Sequence, residues 1–207
     1  TTFFNLITGF FPPTRGKILL DGQDITRADA TARVAMGMAR TFQVTEIFPE
    51  LTVRENVQIA VEVATGYRLR PWLARGEAQR VRDRMDEILT ASRLGAQAGR
   101  LVGELSHGDQ RSAEIAMALA LRPRILLLDE PTAGMGEQET YQIAGLIRQL
   151  HKQSSFTIVL IEHDMRVVFN LADRIMVLDQ GRLLAEGAPQ DIAADPAVQA
   201  AYLGKAE

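Results

Sequence analysis

Residues 124–131 read RILLLDEP: an apolar run without a polar interruption stops abruptly at two adjacent carboxylates, Asp129 and Glu130. A strand of this kind has no polar face to offer water, so it must be covered on both sides. A helical pattern over Glu137–Leu150 follows it, and then a second apolar run over Phe156–Ile161. Strand, crossover helix and strand imply parallel pairing, with helices packed on the sheet: the α/β class. A chain of 207 residues that is 46% hydrophobic supports one core of this type.

The rest of the chain fits around that unit. Thr1–Phe10 reads as a helix stopped near Gly9 and Pro12. Lys17–Leu20 reads as a short strand entering the turn signal Asp21-Gly22. Thr52-Val53-Arg54-Glu55 has the capping-box pattern, so a helix is expected from Val53, broken by Gly66–Pro71. Arg75–Leu94 is a charged amphipathic helix with Met85, Ile88, Leu89 and Ser92 on its inner face. Ser106–Leu121 and Met165–Leu171 are further helices. Arg174–Leu178 and Arg182–Ala185 flank Asp179-Gln180-Gly181, a hairpin-like turn, and the segment from Pro189 onward is alanine-rich and helical. Residues 50–105 hold helices and no convincing strand. The expectation is one domain over residues 1–207, with a helical subdomain at approximately 50–110 inserted in the α/β body.

Composition narrows the function. The net charge of −3 advertises neither nucleic acid nor an anionic membrane surface as a partner. With no cysteine there is no disulfide, thiolate nucleophile or cysteine metal site. The three histidines, at 107, 151 and 163, lack ligand-like spacing. The apolar runs fall far short of the roughly 20 residues that a membrane helix needs.

Four stretches carry possible chemistry. At the carboxyl end of a buried parallel strand, where α/β sheets bind their ligands, Asp129 can hold Mg²⁺ directly or through water. The adjacent Glu130 can orient or deprotonate an attacking water. The same two carboxylates also fit simple caps for the next helix. The second strand exits at His163, which can contact a phosphate or a water there, or serve as an ordinary hydrogen-bonded surface histidine. Asp164 fits an N-cap for the helix behind it. In ELSHGDQR, residues 104–111, Ser106 fits an N-cap with Asp109 three residues on, and Gly108 allows close backbone approach. A helix start of this kind is also an anion site. In RTFQ, residues 40–43, the Gln43 amide can donate to or accept from a metal-bound water, or be an ordinary loop glutamine.

The order of these stretches is more specific than any one of them. Gln43, then Leu105-Ser106-His107-Gly108, then LLLDEP, then His163 after the next strand resembles the ATP-binding subunit of ABC transporters, over essentially the whole chain. The sequence is most similar to subunits serving branched-chain amino acid uptake, on ARTFQVTEIFPELTVREN, LSHGDQRSAEIAMALA, LIEHDM and the C-terminal AYLG. The resemblance implies a P-loop NTPase-like parallel sheet with a helical subdomain, and ATP and Mg²⁺ as ligands. By position Thr1 is the metal-binding hydroxyl that closes the phosphate loop, and Thr2 follows it at the helix start. The Gly-rich stretch, its Lys and the upstream strands of the family precede Thr1, so the 207-residue chain by itself is expected to bind ATP poorly. The resemblance further implies that Asp129 binds Mg²⁺ through water and that Glu130 polarises the attacking water. His163 would contact the γ-phosphate, and Gln43 would sense metal and water and signal to the membrane subunit. Ser106 and Gly108 would complete the ATP site of an opposing subunit.

Expected partners are two membrane-spanning permease subunits, a second ABC ATPase subunit (the same chain or a different one) and, indirectly, an extracytoplasmic solute-binding protein. No nucleic acid is expected. The place implied is peripheral, on the cytoplasmic face of the inner membrane. Two positions depart from the family pattern: Asp109 stands where Gln is usual, and Gly136 where an Asp ordinarily crosses the dimer. The alternatives are a soluble ABC ATPase acting on DNA or ribosomes, and an inactive fragment. The former class usually carries long coiled-coil inserts or tandem cassettes, which this chain lacks.

Overall fold

The computed structural model describes residues 2–41, 47–65, 75–153 and 155–203. The chain divides into two compact units, Thr1–Ile161 and Glu162–Glu207.

In the first unit, helix α1 (Thr2–Ile7) leads to a two-stranded hairpin, β1 (Leu19–Leu20) and β2 (Gln23–Asp24). The Asp21-Gly22 turn has φ of +49° and +79°, the pair of left-handed residues that a tight hairpin requires. Helix α2 (Ala30–Ala35) follows, with the Asp29 side chain accepting from the Ala32 N–H at its start. Arg33 on α2 is 1% exposed. It donates to the carbonyls of Leu6 and Ile7 at the end of α1, and to those of Ile25, Thr26 and Ala28. One guanidinium thus bonds the last two carbonyls of α1 and ties that helix to the loop ahead of α2. Its burial pulls the guanidinium below its ordinary pKa.

The central sheet is parallel and has the order β3 (Met38–Thr41), β4 (Ile125–Asp129), β5 (Thr157–Ile161). Thr41 lies opposite Leu128, and Asp129 opposite Ile161, so the three strands end together. Gly37, at φ +92°, immediately precedes β3. A Cβ there would fall 2.9 Å from Arg124 Cγ, so the close approach of the two strand entrances depends on glycine. Strand β4 is buried as its sequence demands, with Leu126, Leu127 and Leu128 fully covered. Strand β5 departs from expectation: Thr157 is exposed and residues 158–161 are only half-buried. Among the described strands β5 pairs with β4 alone, and one paired edge does not supply the cover that its apolar run was read to imply. Strand β3 was not anticipated, because Met-Ala-Arg-Thr neither alternates nor forms an apolar run.

Three packed helices lie between β3 and β4 in sequence: α3 (Val53–Thr65), α4 (Arg75–Ala91) and α5 (His107–Ala120). The Thr52 capping box is complete: Glu55 N–H donates to Thr52 Oγ1 at 3.2 Å, and Thr52 N–H to Glu55 Oε2 at 2.8 Å. The Thr52 N–H, and after it the Thr52 hydroxyl, both donating to Glu55 Oε2, hold the Glu55 carboxyl below its ordinary pKa. Met85, Ile88, Leu89 and Ser92 form the buried face of the second helix region, as read from the sequence. Helix α6 (Glu137–Gln153) crosses from β4 to β5 and buries Ile143, Leu146, Ile147 and Leu150.

The second unit begins with α7 (Met165–Leu171), capped by Asp164, whose side chain accepts from the Arg166 N–H at 2.9 Å. Hydrogen bonding from the Arg166 side chain leads the causes that lower the Asp164 pKa. The antiparallel strands β6 (Ile175–Asp179) and β7 (Arg182–Gly187) turn at Gln180-Gly181, with φ of +48° and +77°. Helices α8 (Pro189–Ala194) and α9 (Pro196–Leu203) complete it around a small core of Ile175, Val177, Ile192 and Val198. Among the described residues, no helix is long and apolar enough to cross a membrane.

Candidate functional site

The carboxyl end of β4 gathers groups from three elements. Asp129 is fully buried. Its Oδ2 accepts from Arg40 Nη2 at 2.7 Å. Arg40 projects from β3 and also donates through Nη1 to Asn5 Oδ1 of α1 at 2.6 Å. Its guanidinium carbon lies 5.5 Å from the centre of the buried Phe4 ring. One cation therefore joins α1, β3 and β4 around the Asp129 carboxylate. Removing it would leave a buried charge uncompensated, a loss of about 3–5 kcal/mol.

The other oxygen, Asp129 Oδ1, is buried and has no hydrogen-bond partner among the described residues. Thr41 Oγ1, on the neighbouring strand, is in the same state. Leaving such atoms unsatisfied costs about 1–3 kcal/mol each, so they call for a ligand or water. A carboxylate with one oxygen pinned and one vacant suits a hard cation that keeps its waters, and the residues present fit Mg²⁺.

Glu130 is the next residue, with φ at +45°. A non-glycine residue in this region costs of order 1 kcal/mol, and such strain is retained where the surroundings over-determine it. Its N–H donates to the Ile161 carbonyl at the end of β5 at 2.9 Å. On α5, Ser106 is the N-cap, and its hydroxyl accepts from the Asp109 N–H at 3.2 Å. The Gly108 N–H donates to Glu139 Oε1 of α6 at 3.3 Å, so a carboxylate already lies at this helix start. Thr2 is the exposed first residue of α1, and Gly136 is exposed with open space where a side chain would stand.

Asp129 and Glu130 adjoin at the end of β4, and the first turn of α5, in the same unit, meets Glu139 of α6 instead. His163 belongs to the second unit, is exposed, and follows the last residue of β5 by two positions. Thr1 and Gln43 lie outside the described residues. Sequence reasoning missed Arg40, Arg111 and Glu139. Arg40 stood inside a quoted motif, but its partner lies 89 residues away, and nothing local marks such a pair.

Comparison with known proteins places this arrangement. The ABC transporter family model matches residues 1–133, and the chain belongs to that family of ABC ATPases. A model described as branched-chain amino acid ATP-binding cassette transporter matches residues 182–207. The high-affinity branched-chain amino acid transport ATP-binding protein LivG of Escherichia coli K12 is 40% identical over 212 residues, covering 100% of this chain and 83% of LivG. Within the family, then, the chain falls in the branched-chain amino acid subfamily. A nucleotide-free ATP-binding cassette from an ABC transporter superposes with a TM-score of 0.80 at 27% identity, covering 99% of this chain and 83% of that one. A dimeric ATP-binding cassette in a post-hydrolysis state with ADP and Pi gives 0.70 at 27% identity, covering 91% and 79%. The parallel sheet and helices expected from the sequence are the ATP-binding cassette fold, and nucleotide is the ligand of the family.

Proposed function

We propose that this ATPase powers the import of branched-chain amino acids or related small solutes through a membrane permease. The observation that carries the chemical part is the end of β4, where Asp129 keeps one buried oxygen vacant beside a Glu130 fixed in a strained conformation. The cargo part is supported by the likeness to LivG.

In this reading the subunit docks peripherally at the cytoplasmic face of the inner membrane, on two permease subunits served by an extracytoplasmic solute-binding protein. It pairs head-to-tail with a second ATPase subunit. Residues 1–207 act as one cassette, with approximately 50–110 as its helical subdomain. Thr1, Gln43 and Asp129 would hold Mg²⁺, with Thr1 and Thr2 at the phosphates. When bound, Mg²⁺ supplies neutralisation of the charge that develops on the phosphate oxygens. Arg40 pins one Asp129 oxygen and so aims the other. Glu130 orients the attacking water and takes its proton. His163 would contact the γ-phosphate. Ser106 and Gly108, at the start of α5, receive the nucleotide of the opposing subunit, a step in which the Glu139 carboxylate yields the Gly108 N–H.

The test uses the full-length subunit with its permease in proteoliposomes, with labelled leucine uptake and ATP binding read in parallel. ATP-dependent uptake is expected, and Gln43→Ala should reduce uptake about tenfold or more while nucleotide affinity changes little. No uptake of any branched-chain amino acid would refute the cargo reading. Equal loss of binding and uptake would remove Gln43 from its coupling role.

A further inference from the structure

Arg111 lies one turn into α5, and only 8% of it is exposed. Its guanidinium faces the backbone of the β4 exit. Nη2 donates to the Asp129 carbonyl at 2.7 Å and to the Glu130 carbonyl at 3.2 Å, and Nε donates to the Pro131 carbonyl at 3.3 Å. Glu114, on the next turn and equally buried, accepts from Nη1. The carboxylate compensates the buried cation and fixes the plane of its fork, which can then address several acceptors at once.

The consequence falls on Glu130. Its N–H is bonded to the end of β5, and its carbonyl accepts from Arg111 and from the Ala133 N–H. With both backbone groups held, the direction of its Cα–Cβ bond is set, and the φ of +45° is maintained. Through these bonds Arg111 acts on the backbone of residues 129–131.

We propose that Arg111, locked by Glu114, is a positioning residue for hydrolysis: it aims Glu130. The inference rests on the role of Glu130 given above. It adds a physical link, because the same helix carries Ser106 and Gly108 at its start. The same bonds tie the aim of Glu130 to the placement of α5.

The test measures steady-state and single-turnover ATP hydrolysis by the full-length subunit with Arg111→Lys, Glu114→Gln and Glu130→Gln, alone and with each of the first two combined with the third. Lysine keeps the charge and loses the fork. The expected result for R111K is a kcat lower by about 10–100-fold with KM for ATP within about twofold, the pattern of a displaced catalytic group. E114Q should fall several-fold in the same direction. In the E130Q background neither change should reduce the residual single-turnover rate by more than about twofold, because their target is already removed. Wild-type kcat in R111K overturns the proposal. So does parallel loss of kcat and ATP affinity, or a loss in the E130Q background as large as in the wild type. If R111K does not fold, E114Q decides by the same criteria. Near-normal turnover in E130Q alone would instead sink the role of Glu130, so the two failures are distinguishable.

Discussion

Strands β4 and β5 are written almost alike, ILLLD and TIVLI, and lie side by side in register. Yet the three leucines of β4 are fully buried, whereas β5 is half-exposed along its length. The difference comes from their neighbours. Strand β4 is flanked by β3 and β5 and has α5 and α6 to either side in sequence, while β5 is paired on one edge among the described residues. An apolar run states how much surface a strand can bury; the neighbours decide how much it does. The two strand ends differ in the same way. That of β4 carries a buried carboxylate, a strained glutamate and two arginines drawn from β3 and α5. That of β5 offers a carbonyl to Glu130.

The comparison can be sharpened by truncating matching positions. Leu127→Ala on β4 should destabilise the protein by about 2–5 kcal/mol, the range for a fully buried leucine. Val159→Ala, its register partner on β5, removes fewer atoms from a half-buried site and should cost about 1–2 kcal/mol. Denaturant unfolding of both variants decides the point, and equal losses would mean that β5 is as well covered as β4.

A smaller effect lies away from the sheet, at the Thr52–Glu55 capping box. The Glu55 carboxyl has its pKa lowered by hydrogen bonds from Thr52. A depressed carboxylate contributes its stability above the unfolded value and loses it as pH falls through the folded one. Glu55→Gln should therefore flatten a shallow loss of thermal stability that begins below the ordinary glutamate pKa of 4.5 and continues through the lowered folded value. An unchanged pH profile in that variant would remove Glu55 from the cap.

Much of this was legible because the signals are local. The run RILLLDEP marks both a buried strand and the carboxylates at its end. Ser106, Thr52 and Asp164 cap the helices that they precede, and Asp179-Gln180-Gly181 turns its hairpin. What escaped depends on partners distant in sequence. Strand β3 is a strand because residues 125–128 lie beside it. Arg33, Arg40 and Arg111 would pass for surface charges, yet they are buried against acceptors supplied by other elements. A guanidinium's pattern in the chain says nothing of which carbonyls will surround it.

We propose that Glu130 at the end of β4 activates water for ATP hydrolysis, and Glu130→Gln in the full-length subunit tests this most directly. Turnover and ATP-induced dimerisation should be measured on the same sample. Turnover should fall by about 100-fold or more, with ATP retained in a stable dimer. Near-normal turnover, or a variant that binds ATP and remains monomeric, would contradict it.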